Sequence, residues 1–311
     1  MDFSKIVRLY IPESIEGILD SRCNSHGRLI ERLNEINFVT NKISNTADSV
    51  EIELQILDPK EFYALLSGEA NQFLLASLIS EKRAEQVQIK NASWQLVEHY
   101  YSAYYAAHYL IRLTGLSLTN LDQKSTDIIA RSNLLAGVTS SVPKGLYVMT
   151  YNDSTNLLVL TKDLRKPSGG SHKDAWKLWD GLTSKLQNNA NIDPIEYSAV
   201  SMELLTHKRF LGRSTGHYSP SEIRSEINYQ FKGKSWTFEK DSSPIVRRIQ
   251  LAITKDIPAI LPVDASSENL VLHNKLVIGL ARSVFMHSAS SYPKSISRSI
   301  QNQYKDVVRC G

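Results

Sequence analysis

The sequence predicts a mainly α fold, of class α+β, with a small β element. Two observations support this prediction. Apolar residues recur at helical spacing along most of the chain, most clearly over residues 94–115. Only two stretches, residues 49–57 and 145–161, carry the pattern typical of strands. The helical stretches therefore determine the architecture, and the strands are expected to form a minor part of it.

The first 90 residues combine helical spacing with one alternating stretch. The expected elements are a helix over 12–36 with a break near Gly27, a strand over 49–57, a helix from Pro59 that ends at Gly68, and a helix over 70–88. We therefore expect an α/β segment at the start of the chain.

The strongest helical signal lies in residues 94–115. Five tyrosines fall within ten residues, at 100, 101, 104, 105 and 109, and small alanines stand between them. The apolar residues cover most of the helix circumference, and only a narrow strip holds Glu98, Ser102 and Arg112. A helix of this kind must be buried between other helices, and the alanines let those helices approach closely. Gly115 supplies the usual C-terminal stop.

The remaining elements follow the same signals. We expect a short helix over 121–137, a β-hairpin over 145–161 around an Asn-Asp-Ser-Thr-Asn turn, helices over 171–187 and 193–211, a helix from Pro220 to Tyr229, a short strand or loop over 231–243, and mostly helix thereafter. Trp176 and Trp179, three residues apart, are expected to be core or interface anchors.

Composition and charge narrow the class of partner. The 311 residues carry a net charge of +4, but residues 207–248 hold nine Lys and Arg against four Asp and Glu. A basic surface in the second half of the chain is expected, with phosphate as its partner, and a solvated basic face is the alternative. The two cysteines have no CxxC spacing, and no secretory signal or long apolar run is present. We therefore expect a cytoplasmic protein without a membrane partner.

Other candidate sites are weaker. Cys23 and His26 have metal-like spacing without a second pair nearby, so no metal site is predicted. Ser171 and Asp174 have the spacing of a capping box, and the glycines before them lack the remainder of a phosphate-loop motif. His99 and His108 are expected to be hydrogen-bonded core residues. No cofactor fingerprint appears, and no cofactor is predicted.

The tyrosine helix resembles the first core helix of HEPN domains (higher eukaryotes and prokaryotes nucleotide-binding). The similarity lies in Tyr100-Tyr101-Ser102-Ala103-Tyr104-Tyr105-Ala106-Ala107-His108-Tyr109-Leu110, closed by Gly115. A second HEPN motif follows in a later helix, and here Arg224-Ser225-Glu226-Ile227-Asn228-Tyr229 is similar to its Arg…Tyr form. The resemblance implies a HEPN-like helical bundle over 91–232 with a hairpin insertion near 145–161. An α/β segment (1–90) and a helical segment (233–311) would flank it.

The resemblance also implies a site. HEPN ribonucleases pair the arginine with a histidine, because histidine transfers protons near neutral pH and arginine stabilises an anionic phosphorane. Here Tyr229 stands where that histidine would lie, and a phenol with a reference pKa near 10 is a poor base. HEPN ribonucleases often carry an acidic or polar residue on this helix that orients the arginine, so Glu98 is expected to pair with Arg224. The alternative role of such a pair is an ordinary buried ion pair that holds two helices in register. An exposed Tyr229 beside Arg224 would fit a further possibility, since some HEPN toxins are controlled by nucleotidylation of a tyrosine by a partner.

A basic segment precedes Arg224 and supplies substitute residues. Lys208, Arg209 and Arg213 are candidates to bind RNA or phosphate, and His217 is a candidate acid–base residue. Gly212 and Gly216 favour a loop here, so the spacing does not fix the geometry. The alternative is a basic solvated loop.

Two function classes remain open. The first is a HEPN-like subunit that binds RNA, a nucleotide or a partner protein, with the resemblance implying a bacterial defence or toxin–antitoxin setting and a protein partner or homodimer. The alternative is a metal-independent endoribonuclease that uses His217 or Tyr229 with Arg224 and Arg213. We favour the first, because the tyrosine replaces the residue on which the chemistry depends.

Overall fold

The computed structural model describes residues 1–22, 29–86, 91–135, 141–165, 171–212, 218–258 and 260–308. The helices in these ranges are α1 (Phe3–Tyr10), α2 (Glu16–Leu19), α3 (Pro59–Glu85), α4 (Ser93–Leu113), α5 (Gln123–Leu135), α6 (Ser171–Ala190), α7 (Pro194–Leu211), α8 (Ser219–Gln230), α9 (Ser243–Thr254), α10 (Ser267–Ser291), α11 (Ile296–Gln303) and α12 (Lys305–Val308). The strands are β1 (Phe38–Asn45), β2 (Ser49–Ile56), β3 (Leu116–Leu121), β4 (Gly145–Asn152) and β5 (Leu157–Asp163). The predicted mainly α class with a small β element is confirmed.

Side-chain caps mark the start of helices α1, α3, α7 and α10. Asp2, Asp58, Asp193 and Ser266 each accept hydrogen bonds from backbone N–H groups in the first turns of α1, α3, α7 and α10. These bonds satisfy donors that have no partner inside the helix. The first positions of α3 and α7 also hold a proline, which needs no donor there.

The five strands form one antiparallel sheet of order β1-β2-β5-β4-β3. The predicted hairpin is its β4–β5 pair, and the predicted strand over 49–57 is β2. The pairing of β2 with β5 sets Ile52 opposite Leu160 and joins the strands of the first 90 residues to the hairpin. The division of the chain at residues 90 and 232 stays a prediction.

The tyrosine helix lies at the centre of the helical part. As predicted, α4 is a single buried helix, and it packs against α3, α6, α8 and α10. Gly115 follows it with φ 77°, the left-handed conformation that ends many helices. Trp176 and Trp179 of α6 lie in the same core, as expected. A second, smaller core joins the start of α4 to α8, α9 and α10.

Two expectations for the first 90 residues were wrong, and one helix was not predicted. Residues 12–36 do not form one helix; α2 and two short 3₁₀ segments (Ile11–Glu13 and Leu29–Glu35) occupy the described part, and Gly27 lies outside the described residues. A helix begins earlier, at the Asp2 cap. The helix from Pro59 does not end at Gly68 but continues to Glu85, because the small residues there are buried against α4.

Within the described residues, none of the helices combines the length and the apolar character that crossing a membrane would require.

Candidate functional site

Two helices bring polar side chains to the half-buried tyrosines of α4. Tyr100 and Tyr109 are fully buried, whereas Tyr101 and Tyr105 are partly exposed. His172, the second residue of α6, and Arg224, in the middle of α8, both contact Tyr101. Residues more than fifty positions apart in the sequence therefore meet on one face of α4. We call Tyr100, Tyr101, His172 and Arg224 the arginine site.

Arg224 is a cation without a carboxylate partner among the described residues. Its Nη2 donates a hydrogen bond of 2.6 Å to the hydroxyl of Tyr101. Its Cζ lies 5.5 Å from the ring centre of Tyr101 and 5.4 Å from that of Tyr229, within the range of cation–π attraction. Its Nε is buried without a hydrogen-bond partner in the described part of the chain. A partly desolvated guanidinium whose recorded neighbours are two tyrosines rather than a carboxylate favours an anion.

His172 has a defined tautomer. The indole Nε1 of Trp176 donates to the hydroxyl oxygen of Tyr100 at 3.1 Å, and that hydroxyl lies 2.9 Å from Nδ1 of His172. The oxygen of this phenol accepts from the indole, and Nδ1 is the one acceptor recorded among the described residues for the phenol's own proton, so we assign the phenol as the donor to Nδ1. The neutral ring therefore carries its hydrogen on Nε2.

The protonation states of His172 and Tyr100 follow from their surroundings. Burial lowers the pKa of His172, and the positive charge of Arg224 lowers it further. Burial raises the pKa of Tyr100, so its phenol remains protonated at neutral pH. At neutral pH the cation Arg224 therefore lies beside a neutral imidazole and the neutral phenol of Tyr100. Such a set can bind an anion, and Nε2–H of the neutral His172 can donate a hydrogen bond to it.

The sequence-predicted residues have mixed outcomes. The expected pair between Glu98 and Arg224 is not formed; Glu98 instead lies 2.9 Å from Arg83 of α3. Tyr229 is 68% exposed and lies beside Arg224, the arrangement anticipated for a modifiable tyrosine. Within the described part of the chain, the hydroxyl of Tyr229 donates no hydrogen bond that would activate it as a base.

The basic segment before α8 is only partly described. Lys208 and Arg209 lie in the last turn of α7, where cations complement the helix dipole. Among the described residues, the contacts recorded for Arg224 are with Tyr101 and Tyr229, and neither Lys208 nor Arg209 is one of them. Arg213 and His217 lie outside the described residues, as do Cys23 and His26.

Sequence reasoning missed His172 and a buried ion pair. Nothing in the order Ser171-His172-Lys173 indicates contact with a tyrosine 72 residues earlier. Arg112 of α4 lies 3.2 Å from Glu69 of α3, with both side chains almost fully buried. The guanidinium also donates to the carbonyl of His108 and lies 4.1 Å over the ring of Phe73. The sequence signal that could have indicated this ion pair is Glu69 itself, a single acidic residue within an apolar stretch.

The two histidines of α4 are core residues, but only one fulfils the hydrogen-bonding expectation. Nδ1 of His108 lies 2.8 Å from Nη1 of Arg112. Neither ring nitrogen of His99 has a partner in the described part of the chain. The expectation for His99 was therefore wrong in this respect, and burial lowers its pKa to about 3.

The described residues contain no group of three or more His, Cys, Asp or Glu side chains placed to hold a metal ion. Comparison with known proteins finds no matching family model, curated protein or solved structure.

Proposed function

We propose that this chain is a HEPN-like subunit that binds RNA or a nucleotide through a phosphate group at Arg224. The observation that carries the proposal is the state of Arg224: a partly buried guanidinium, framed by Tyr101 and Tyr229, with no carboxylate partner among the described residues. Phosphate oxygens match the fork geometry of such a group. Exposed rings beside it suit a nucleobase.

The biological setting follows from the resemblance. A HEPN-like binding subunit implies a bacterial defence or toxin–antitoxin system, with a protein partner or a second copy of the chain. Residues 207–248 carry an excess of positive charge, which supports a polyanionic ligand. The exposed Tyr229 also leaves room for control by covalent modification.

Binding is tested with fluorescein-labelled RNA and with ATP, using the wild type, Arg224→Ala and Arg224→Lys. We expect Arg224→Ala to weaken RNA binding about tenfold or more, the loss typical of a hydrogen bond to a charged group. Arg224→Lys should recover part of the affinity, because it keeps the charge but loses the fork. Equal affinity of all three proteins would refute a phosphate site at Arg224.

The second candidate is a metal-independent endoribonuclease. It is favoured by one observation, the position of His172 beside Tyr101 and Arg224, since imidazole is the most common proton-transfer group in enzymes. Burial and the charge of Arg224 keep this imidazole neutral, however, and a neutral imidazole holds no acidic proton for a leaving oxygen. The same geometry argues against it as the first choice. Nδ1 of His172 is occupied by Tyr100, so this ring cannot also take the proton of the 2′-OH, and no other described histidine contacts Tyr101 or Arg224.

Cleavage is tested by incubating the protein with total RNA and tRNA in EDTA, beside Arg224→Ala and His172→Ala. His287→Ala, on α10, is the matched control. We expect no cleavage by the wild type. Cleavage that both site variants abolish and the control retains would establish the ribonuclease and overturn the binding-only proposal.

A further inference from the structure

An exposed group of aromatic rings lies on the loop that follows α8. Phe231, Trp236 and Phe238 of this loop, together with Trp94 at the start of α4, form what we call the ring surface. Trp236 is central: its ring centre lies 5.9 Å from Trp94, 5.7 Å from Phe231 and 5.5 Å from Phe238. Trp94 is 62% exposed, Phe231 52% and Phe238 68%, whereas Trp236 between them is half-buried. Contiguous exposed rings indicate a binding surface, whereas single ones are ordinary.

The loop holds these rings in place by its own hydrogen bonds. The carboxylate of Glu239 accepts from the backbone N–H groups of Lys234 and Trp236, both at 2.9 Å. The indole of Trp236 donates to the carbonyl of Ile227 at 3.0 Å. The hydroxyl of Ser93 donates to that of Ser235 at 3.0 Å, which ties the loop to α4. The rings are therefore preorganised, so a ligand would lose little entropy in ordering them.

Positive charge surrounds the ring surface. Residues 231–248 hold five cations against two acids, and one of the acids is Glu239, which is engaged inside the loop. The cations are Lys232, Lys234, Lys240, Arg247 and Arg248, all exposed, with Arg248 paired to Glu268 at 3.3 Å. Arg247 and Arg248 also line a cleft of about 520 Å³ with Ser243 and Pro244. The charge is complementary to a polyanion.

The rings continue from the arginine site. Tyr229 lies beside Arg224, and Phe231 follows two residues later as the left-handed residue that ends α8. We propose that the ring surface stacks the unpaired bases of a single-stranded nucleic acid. This proposal rests on the proposed function, since one phosphate of the same strand would lie at Arg224.

Two physical arguments favour this ligand. Only unpaired bases present their faces to a protein, because a duplex stacks its bases internally, so exposed rings with surrounding cations suit a single strand. Protein–protein interfaces are depleted in lysine, and three lysines stand among these rings. Stacking does not distinguish RNA from DNA, so both belong in the test.

The test uses the full chain and fluorescein-labelled oligouridylate of about 20 nucleotides, with oligothymidylate and an RNA duplex of equal length beside it. We expect Phe238→Ala and Trp94→Ala each to weaken single-strand binding about fivefold or more, which corresponds to about 1 kcal/mol of stacking per base. Phe238→Tyr, which keeps a ring, should retain the affinity. Tyr304→Ala removes a partly exposed ring elsewhere and should change nothing. The duplex should bind more weakly than either single strand.

The outcomes separate this proposal from the one on which it rests. Unchanged binding by Phe238→Ala and Trp94→Ala, with a loss for Arg224→Ala, would overturn the ring surface and leave the phosphate site standing. A loss of affinity in the ring variants without a loss in Arg224→Ala would overturn the phosphate site and leave the ring surface standing. If Phe238→Ala instead turned a dimer into a monomer in light scattering, the surface would be a protein interface and the proposal would be wrong. Absence of binding to every oligonucleotide would overturn both.

Discussion

The buried pair of Arg112 and Glu69 is expected to be a main determinant of how α4 is positioned. Among the described residues, the carboxylate of Glu69 is the one full negative charge recorded on the guanidinium of Arg112, at 3.2 Å. The side chains of Arg112 and Glu69 are 2% and 8% exposed. The other acceptors are the carbonyl of His108 at 3.1 Å, the carbonyl of Leu118 at a long 3.4 Å, and the ring of His108. Replacing Glu69 with leucine would leave a buried cation with neutral partners. We expect the free energy of unfolding to fall by about 3–5 kcal/mol.

Urea denaturation followed by circular dichroism measures this change. The double variant Glu69→Leu with Arg112→Met removes both charges and should be more stable than Glu69→Leu alone, because no uncompensated charge remains. Glu98→Gln is the matched control: it breaks the partly exposed pair with Arg83 and should cost less than about 1 kcal/mol. A loss for Glu69→Leu no larger than that of the control would refute the reasoning, as would a double variant less stable than either single one.

Two further predictions concern stability. Burial lowers the pKa of His99 to about 3 and that of His273 to about 4, so below about pH 6.5 the unfolded chain binds protons that the folded chain excludes. As the pH is lowered from about 7.5 to about 5, the free energy of unfolding should therefore fall by about 2 kcal/mol for each of the two histidines. His99→Leu should remove the contribution of His99 to this fall. A free energy of unfolding that does not change with pH in urea denaturation would contradict this prediction. Gly115→Ala should destabilise the protein by about 2 kcal/mol, because φ is 77° and a Cβ would lie 2.9 Å from the carbonyl oxygen of Tyr151. Gly181→Ala, in open space within α6, should instead stabilise the protein by up to about 1 kcal/mol. Equal melting temperatures of the two glycine variants would contradict the second prediction.

The parts of the fold that the sequence predicted have strong local signals. The tyrosine helix has apolar residues around most of its circumference, and the β4–β5 hairpin has two apolar runs around a polar turn. Both patterns are read within about twenty residues, so tertiary context was not needed.

The missed elements have weak or misleading local signals. Most residues of β1 are exposed or half-buried, so no clean alternation marks it. In β3 the buried positions include Ser117 and Thr119, whose hydroxyls lie 3.3 Å apart and satisfy each other inside the sheet. Gly68 was predicted to end a helix, because glycine has a low helix propensity. The packing of α3 against α4 overrides this local preference.

The candidate site could be predicted only in part. Arg224 and Tyr229 lie close together in the sequence and on one helix, so a motif could identify them. His172 reaches the same place through α6, and its bond to Tyr100 joins residues 72 positions apart. The expected Glu98–Arg224 pair failed because Arg83 of the neighbouring α3 takes the carboxylate. Such pairings depend on tertiary packing, which a local pattern does not encode.

The salt dependence of RNA binding tests the central claim, a phosphate held at Arg224, most directly. Affinity for oligouridylate is measured by anisotropy over a series of salt concentrations for the wild type, Arg224→Ala and Arg298→Ala, the last removing an exposed arginine of α11. Loss of one phosphate contact should lower the slope of log affinity against log salt by about 0.7 in Arg224→Ala and leave it unchanged in Arg298→Ala. The same slope and affinity in all three proteins would contradict the claim.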